Sequence, residues 1–259
     1  MNTQDHFNGT FFDTNPSKSL QDIYNSMTAI EDDFRNSNLY KLVADYLCGV
    51  SLLDVGSGPG HFLNYASKRG YTATGIEPDI GLINIGEKIY GNTDIEMICE
   101  SVENLETNLK YDNITLIDVL EHISNDKAVL AKISNMLADD GRMVIVVPAN
   151  PMLYGKRDQS IGHYRRYSKN QLLDLINSCG MRAISIRYWN AIGFLPYYIQ
   201  EKIFRRSLKA NFRSSNKKSR GEKLLSKLLF CWFKVIENRF NLNFGLTLIC
   251  IVDMPGDYD

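Results

Sequence analysis

Leu52-Leu53-Asp54-Val55-Gly56-Ser57-Gly58-Pro59-Gly60 sets an apolar, strand-forming run directly against a glycine-rich turn. Glycine takes left-handed backbone angles without a Cβ penalty, so such a turn lets the main chain bend sharply and pass close to a ligand. A nucleotide-type site at the end of a strand is implied. The dinucleotide fingerprint needs its third glycine at position 61, where His61 stands, and the spacing here is G-x-G-x-G. That disfavours a nicotinamide or flavin cofactor. Glu77 closes the next strand-like run, 23 residues after Asp54, where a carboxylate can accept both hydroxyls of a ribose.

On either side of this turn, short β-rich runs alternate with helical patterns, the signature of a parallel sheet with helices on its faces. The strands are expected at Ser51 to Val55, Thr72 to Ile76, Asp94 to Cys99, Asn113 to Asp118, Arg142 to Val147, Ala183 to Trp189 and Leu246 to Val252. Helices are expected from Gly60 to Lys68, from an Asp79 cap to near Gly91, and from a Ser124 cap to Leu137. Ser168-Lys169-Asn170-Gln171 has the form of a capping box ahead of a helix that stops at Gly180. Leu20 to Leu47 reads as one or two leading helices. Before the last strand the segment from Asn190 to Phe244 is too long for an ordinary connection. Within it Leu224, Leu225, Leu228, Leu229, Trp232, Phe233 and Ile236 recur at helical spacing, and Asn211 to Arg220 is polar and aperiodic. The chain therefore divides into a leader (1–48), a core (49–190), a basic helical insertion (191–243) and a final strand with the C-terminus (244–259).

The 259 residues, 44% hydrophobic and 23% charged, suit one large globular domain and exclude a disordered or collagen-like chain. Apolar runs such as Val144 to Val147 and Leu228 to Phe233 are far too short to span a bilayer, and Met1 to Thr10 lacks an apolar signal core. A cytoplasmic protein is expected. The five cysteines form no C-x-x-C pair and read as reduced core thiols. Eleven Lys and Arg against two Glu between Glu201 and Val235 make a local net +9 on a body of −10. This basic segment admits a flap over the site, a peripheral contact with an anionic membrane, or nucleic-acid binding, the last disfavoured because Phe212 alone interrupts its polar stretch.

With Asp54, the glycine turn and Glu77 in order, the sequence from about Leu52 to Gly180 resembles the class I S-adenosylmethionine-dependent methyltransferase family. The resemblance implies a Rossmann-like, doubly wound, mostly parallel seven-stranded sheet with helices on both faces. It implies that Asp54, Gly56, Ser57, Gly58 and Gly60 hold the methionine part of the cofactor, and Glu77 with Pro78 the ribose. Ser101-Val102-Glu103-Asn104-Leu105 resembles the adenine segment, with Ser101 where that family often has an acid. Asp118-Val119-Leu120-Glu121-His122 resembles the segment after the fourth strand, which would place Asp118 and Leu120 beside the transferable methyl. Asp118, Glu121 and His122 also form D-x-x-E-H, similar to an E-x-x-E-H that holds a divalent metal in some quinone O-methyltransferases of this fold. With Asp118 in place of the first glutamate, no metal site is assigned.

His122 and His163 are the candidate general bases, since an imidazole can take a proton from a hydroxyl or ammonium nucleophile near neutral pH. Gly162-His163-Tyr164-Arg165-Arg166-Tyr167 follows the fifth strand and is similar to a segment of bacterial class I methyltransferases of cell-surface sugar or lipid pathways. Tyr164, Arg165 and Arg166 are candidates to hold a phosphate or carboxylate of the acceptor, because guanidinium binds such groups bidentately. The alternative is that the arginines pair with acids such as Asp118, Glu121 or Asp158 and shape the loop. The expected function is methyl transfer from S-adenosylmethionine to an O or N of a small molecule, chiefly a sugar or lipid-linked saccharide, leaving S-adenosylhomocysteine. RNA or protein methylation and a non-catalytic interaction module are the competing readings.

Overall fold

The strands are β1 (Ser51–Val55), β2 (Thr72–Ile76), β3 (Glu96–Ile98), β4 (Tyr111–Ile117), β5 (Leu137–Pro148), β6 (Arg182–Trp189) and β7 (Thr247–Asp253), and the β-branched and apolar runs of the inner ones are buried on both faces, whereas the edge strands β3 and β6 are largely half-buried or exposed. The computed structural model describes residues 33–91, 95–204 and 220–255. One sheet joins all seven strands in the order β3-β2-β1-β4-β5-β7-β6. Neighbours are parallel from β3 through β5, whereas β7 runs antiparallel to both β5 and β6. The chain winds outward in opposite directions from β1 and β4, so a crevice opens at the carboxyl ends of those two strands, where ligands bind in open α/β sheets.

Helices cover both faces. On one, α4 (Asp126–Ser134) and α6 (Lys169–Ser178) bury Val129, Leu130, Ile133, Leu172 and Ile176 against Ile114, Leu116 and Ile145. On the other, α1 (Phe34–Ala44) and α2 (His61–Ser67) bury Leu39, Val43, Phe62 and Leu63 with Val144, Val146 and Trp189. The third helix, α3 (Ile80–Tyr90), starts as expected at Asp79, whose carboxylate accepts from the Gly81 N–H at 2.8 Å. The Ser168 capping box also forms, with reciprocal bonds between Ser168 and Gln171.

Other boundaries differ. Asn125, not Ser124, caps α4, because its side chain reaches the Ala128 N–H. The expected extension of that helix to Leu137 fails because β5 begins at Leu137, pairing opposite Tyr111. Of the leader, α1 is described and residues 20–32 lie outside the described residues. The insertion contributes α7 (Phe194–Tyr198), a π-helical turn Ile199–Ile203, α8 (Arg220–Trp232) and a second π-helical turn Phe233–Glu237. Its polar stretch from 211 to 219 lies outside the described residues. The cysteines are not all core thiols. Cys250 is buried, Cys48 and Cys179 are half-buried, and Cys99 and Cys231 are exposed, since apolar neighbours in sequence do not decide which way a side chain faces.

Candidate functional site

The turn after β1 is built from left-handed residues: Gly56, Gly58 and Gly60 have φ of +65°, +54° and +73°. At Gly56 a Cβ would also come 2.7 Å from Val119 Cγ2, so the turns after β1 and β4 pack directly against each other. Glu77, buried at the end of β2, binds this turn together. Its Oε2 accepts from the Gly58 N–H at 2.9 Å and its Oε1 from the Asp79 N–H at 3.0 Å. Asp54 is buried at the end of β1 and accepts from the Thr115 hydroxyl at 2.5 Å. Burial lifts the Asp54 carboxyl to about 7; the Thr115 hydrogen bond opposes the rise and the Glu77 charge adds to it. Burial likewise lifts Glu77 to about 7 against its two backbone donors. His61 lies behind the turn, its Nδ1 hydrogen-bonded to the Tyr90 hydroxyl, and burial pushes it down to about 4.

Asp118, directly after β4, has a φ of +55°, a strained position for a non-glycine residue at the mouth of the crevice. Its carboxylate lies 3.5 Å from the guanidinium of Arg35, which stacks over Trp189 with 5.5 Å to the ring centroid. Arg35 comes from the first turn of α1, and nothing near it in sequence announces that contact. Leu120 and Val102 are buried in the core, at 0% and 1% exposure. Ser101 and Pro78 are half-buried, and Glu100, one residue before Ser101, accepts from the Ser101 N–H at 2.8 Å.

His122 and His163 come together, with ring centroids 4.6 Å apart and planes at 90°. Burial, then the neighbouring His163, pushes His122 down to about 4. His163 Nδ1 lies 3.0 Å from Asp158 Oδ1, and its Nε2 lies 3.8 Å from Glu121 Oε1. Glu121 is fully buried, and burial together with the Asp118 charge raises its carboxyl well above the usual range.

The arginines of this loop are engaged by protein groups. Arg166 Nε sits 2.9 and 3.0 Å from the two oxygens of Asp158, and its other nitrogens donate to the Ala149 carbonyl and the Tyr197 hydroxyl. Arg165 pairs with Asp126 at 2.6 Å and donates to the Ser124 carbonyl. Of the two readings open in the sequence, this arrangement has the arginines bracing the loop; Asp126 and Tyr197 are partners that sequence proximity does not indicate. Tyr164 is exposed, and its N–H donates to the Glu121 carbonyl at 2.7 Å.

Similarity to known proteins agrees with this geometry. The methyltransferase-domain family matches residues 12–213. Over 125 residues, 46% of this chain and 35% of the relative, the sequence is 32% identical to pavine N-methyltransferase of Thalictrum flavum subsp. glaucum. Over 163 residues, 59% of this chain and 57% of the relative, it is 24% identical to the mitochondrial ubiquinone biosynthesis O-methyltransferase of Schizosaccharomyces pombe. The chain thus spans between about a third and somewhat over half of these relatives. A chain in the complex of the Haloferax volcanii Trm112 methyltransferase activator with a methyltransferase shares the fold, with a TM-score of 0.63 at 11% identity over 95% of this chain and 99% of that one. The glycine turn, the paired buried carboxyls and the seven-stranded sheet therefore place this chain in the methyltransferase-domain family, on the class I S-adenosylmethionine-dependent fold.

Proposed function

We propose that this protein transfers a methyl group from S-adenosylmethionine to an oxygen or nitrogen of a small molecule. The observation that carries the reading is the left-handed glycine turn tied by Glu77 beside the buried Asp54, at the switch point of the sheet of a methyltransferase-domain chain. These residues fit the cofactor. Glu77 has two carboxylate oxygens for ribose hydroxyls, and Asp54 is a buried carboxyl for the amino acid part. When bound, the cofactor supplies an electrophilic methyl on a sulfonium and leaves as S-adenosylhomocysteine. Asp118 and the 3-10 turn Leu120–His122 follow directly on β4, at whose carboxyl end the crevice opens. His122, held neutral at physiological pH by its burial, is the base we assign to the proton that a hydroxyl or ammonium acceptor releases. Alignment of acceptor and methyl carries the remaining acceleration.

Similarity to both an N- and an O-methyltransferase leaves either acceptor atom open. We favour a sugar or lipid-linked saccharide as acceptor and a cytoplasmic protein whose residues 201–235 touch the anionic inner face of a membrane. The membrane contact is supported by Leu224, Leu225 and Leu228, exposed on α8 beside Lys223 and Lys227. No helix among the described residues is long and apolar enough to cross a membrane. Nucleic acid is not the expected partner.

Calorimetric titration with S-adenosylhomocysteine, with NAD as control, tests the cofactor. Binding of the first alone is expected, weakened by about tenfold or more in Glu77→Ala, since hydrogen bonds to a charged group are each worth about 1.5–3 kcal/mol. Unchanged affinity in that variant removes the assignment of the pocket. Sedimentation with anionic liposomes at low salt is expected to weaken when Lys217, Lys218 and Arg220 are neutralised, and no binding ends the membrane reading.

A further inference from the structure

Among the described residues, one ligand atom each from Glu121, His122 and His163 lie within 4.8 Å of one another. Methyl transfer alone does not account for their arrangement. Glu121 is fully buried, yet neither of its carboxylate oxygens takes a hydrogen bond within the described residues. A buried carboxyl without a partner is costly to a fold unless it keeps its proton or receives a cation.

His163 faces it. The Asp158 carboxylate, 3.0 Å from Nδ1, keeps the ring proton on that nitrogen, which leaves the Nε2 lone pair turned toward Glu121 Oε1 at 3.8 Å. That lone pair faces either the proton of Glu121 or, when Glu121 is ionised, a cation held between the two. The His122 ring lies beside Gly162 and stands edge-on to His163. His163 has one nitrogen committed to a protein partner and the other disengaged, which is how a protein orients a histidine ligand of a metal. Asp118 is not part of the set, because it is turned to Arg35. The third donor instead comes from the loop after β5.

We infer that Glu121, His122 and His163 bind a divalent transition-metal ion of the zinc, cobalt or manganese type, with Asp158 orienting the His163 imidazole. Two imidazoles and one carboxylate are the borderline nitrogen and oxygen donors these ions take. Three protein ligands would also leave a coordination position for an acceptor oxygen, and acidification of that oxygen by the ion would then replace proton transfer to His122. That last consequence rests on the proposed function, whereas the binding itself does not.

The test uses the untagged full chain, stripped with a chelator and titrated with cobalt(II) by visible absorption and with zinc by calorimetry. S-adenosylhomocysteine affinity is measured on the same samples. One cobalt per chain is expected, with bands distinct from the aqueous ion. Glu121→Gln and His163→Gln should each weaken it by at least about tenfold while S-adenosylhomocysteine affinity stays within about twofold, since even orienting partners are worth 10–100-fold. If protein that binds S-adenosylhomocysteine takes up no cobalt, or both variants bind it unchanged, the metal site is overturned and Glu121 and His163 share a proton instead. Cobalt uptake without S-adenosylhomocysteine binding would sustain the site and overturn the methyltransferase reading.

Discussion

Asp54 and Glu77 are ordinary carboxylic acids whose behaviour is set by where β1 and β2 end. Burial raises both to about 7, so each holds its proton more tightly in the folded chain than in the unfolded one, where about 4 is usual. The stability they contribute is present below the unfolded value and is lost as pH rises through about 7. Cofactor binding reverses the preference, because ribose hydroxyls and an ammonium group favour the ionised forms. S-adenosylhomocysteine affinity is therefore expected to rise about tenfold between pH 6 and pH 8 for each carboxyl that must ionise. A calorimetric series that stays flat across that range would show that neither acid titrates on binding. His163 and His122, singled out in the sequence by residue type and by the segments that hold them, prove to be neighbours, whereas the Arg35 to Asp118 contact joins residues far apart in the chain and had no local signal.

The loop between β5 and α6 is a braced element rather than a free one. Burial works against an ionised Asp158, but hydrogen bonds from His163 and Arg166, with the Arg166 charge, hold its carboxyl well below the usual range. Tyr197 of α7 joins the same network, accepting from Arg166 at 2.6 Å and donating to Asp158 at 3.2 Å. Arg166→Met strips Asp158 of its main cation and is expected to cost on the order of 3–5 kcal/mol, read as a fall in the urea midpoint. Adding Asp158→Asn should recover part of that loss. If the single variant unfolds like the parent, the pair is not the brace. The helix ends in this region were legible in sequence, since Ser168 and Gln171 act across one turn. The arginine partners were less so, because Asp126 and Tyr197 reach the loop from other elements.

At the scale of the whole molecule, leader, sheet and insertion share one apolar cluster. Phe233 of the insertion packs 4.7 Å from Trp189 of β6 and 5.9 Å from Phe34 of α1, measured between ring centroids. Asn238 donates to the Asn38 carbonyl, and Trp232 donates to Glu237, which also accepts from the Ile192 N–H. Because these contacts bridge separate parts of the chain, unfolding by circular dichroism and by tryptophan fluorescence should give superimposable curves. Phe233→Ala, which empties a nearly fully buried position, should shift both together by about 3–5 kcal/mol. Separate midpoints would mean that the insertion unfolds on its own.

The sequence by itself determined the order of strands and helices, the glycine turn and the acids at its flanks. These follow from local forces: period-two and period-3.6 apolar patterns, left-handed glycine angles and side-chain caps all act within a few residues. Only the tertiary structure decided that β7 lies between β5 and β6, that Arg35 closes on Asp118, and that Glu121, His122 and His163 converge with Asp158 behind them. Those depend on which residues distant in the chain are buried together. No local pattern encodes that, because it is the packing of both helical layers on the finished sheet that selects it.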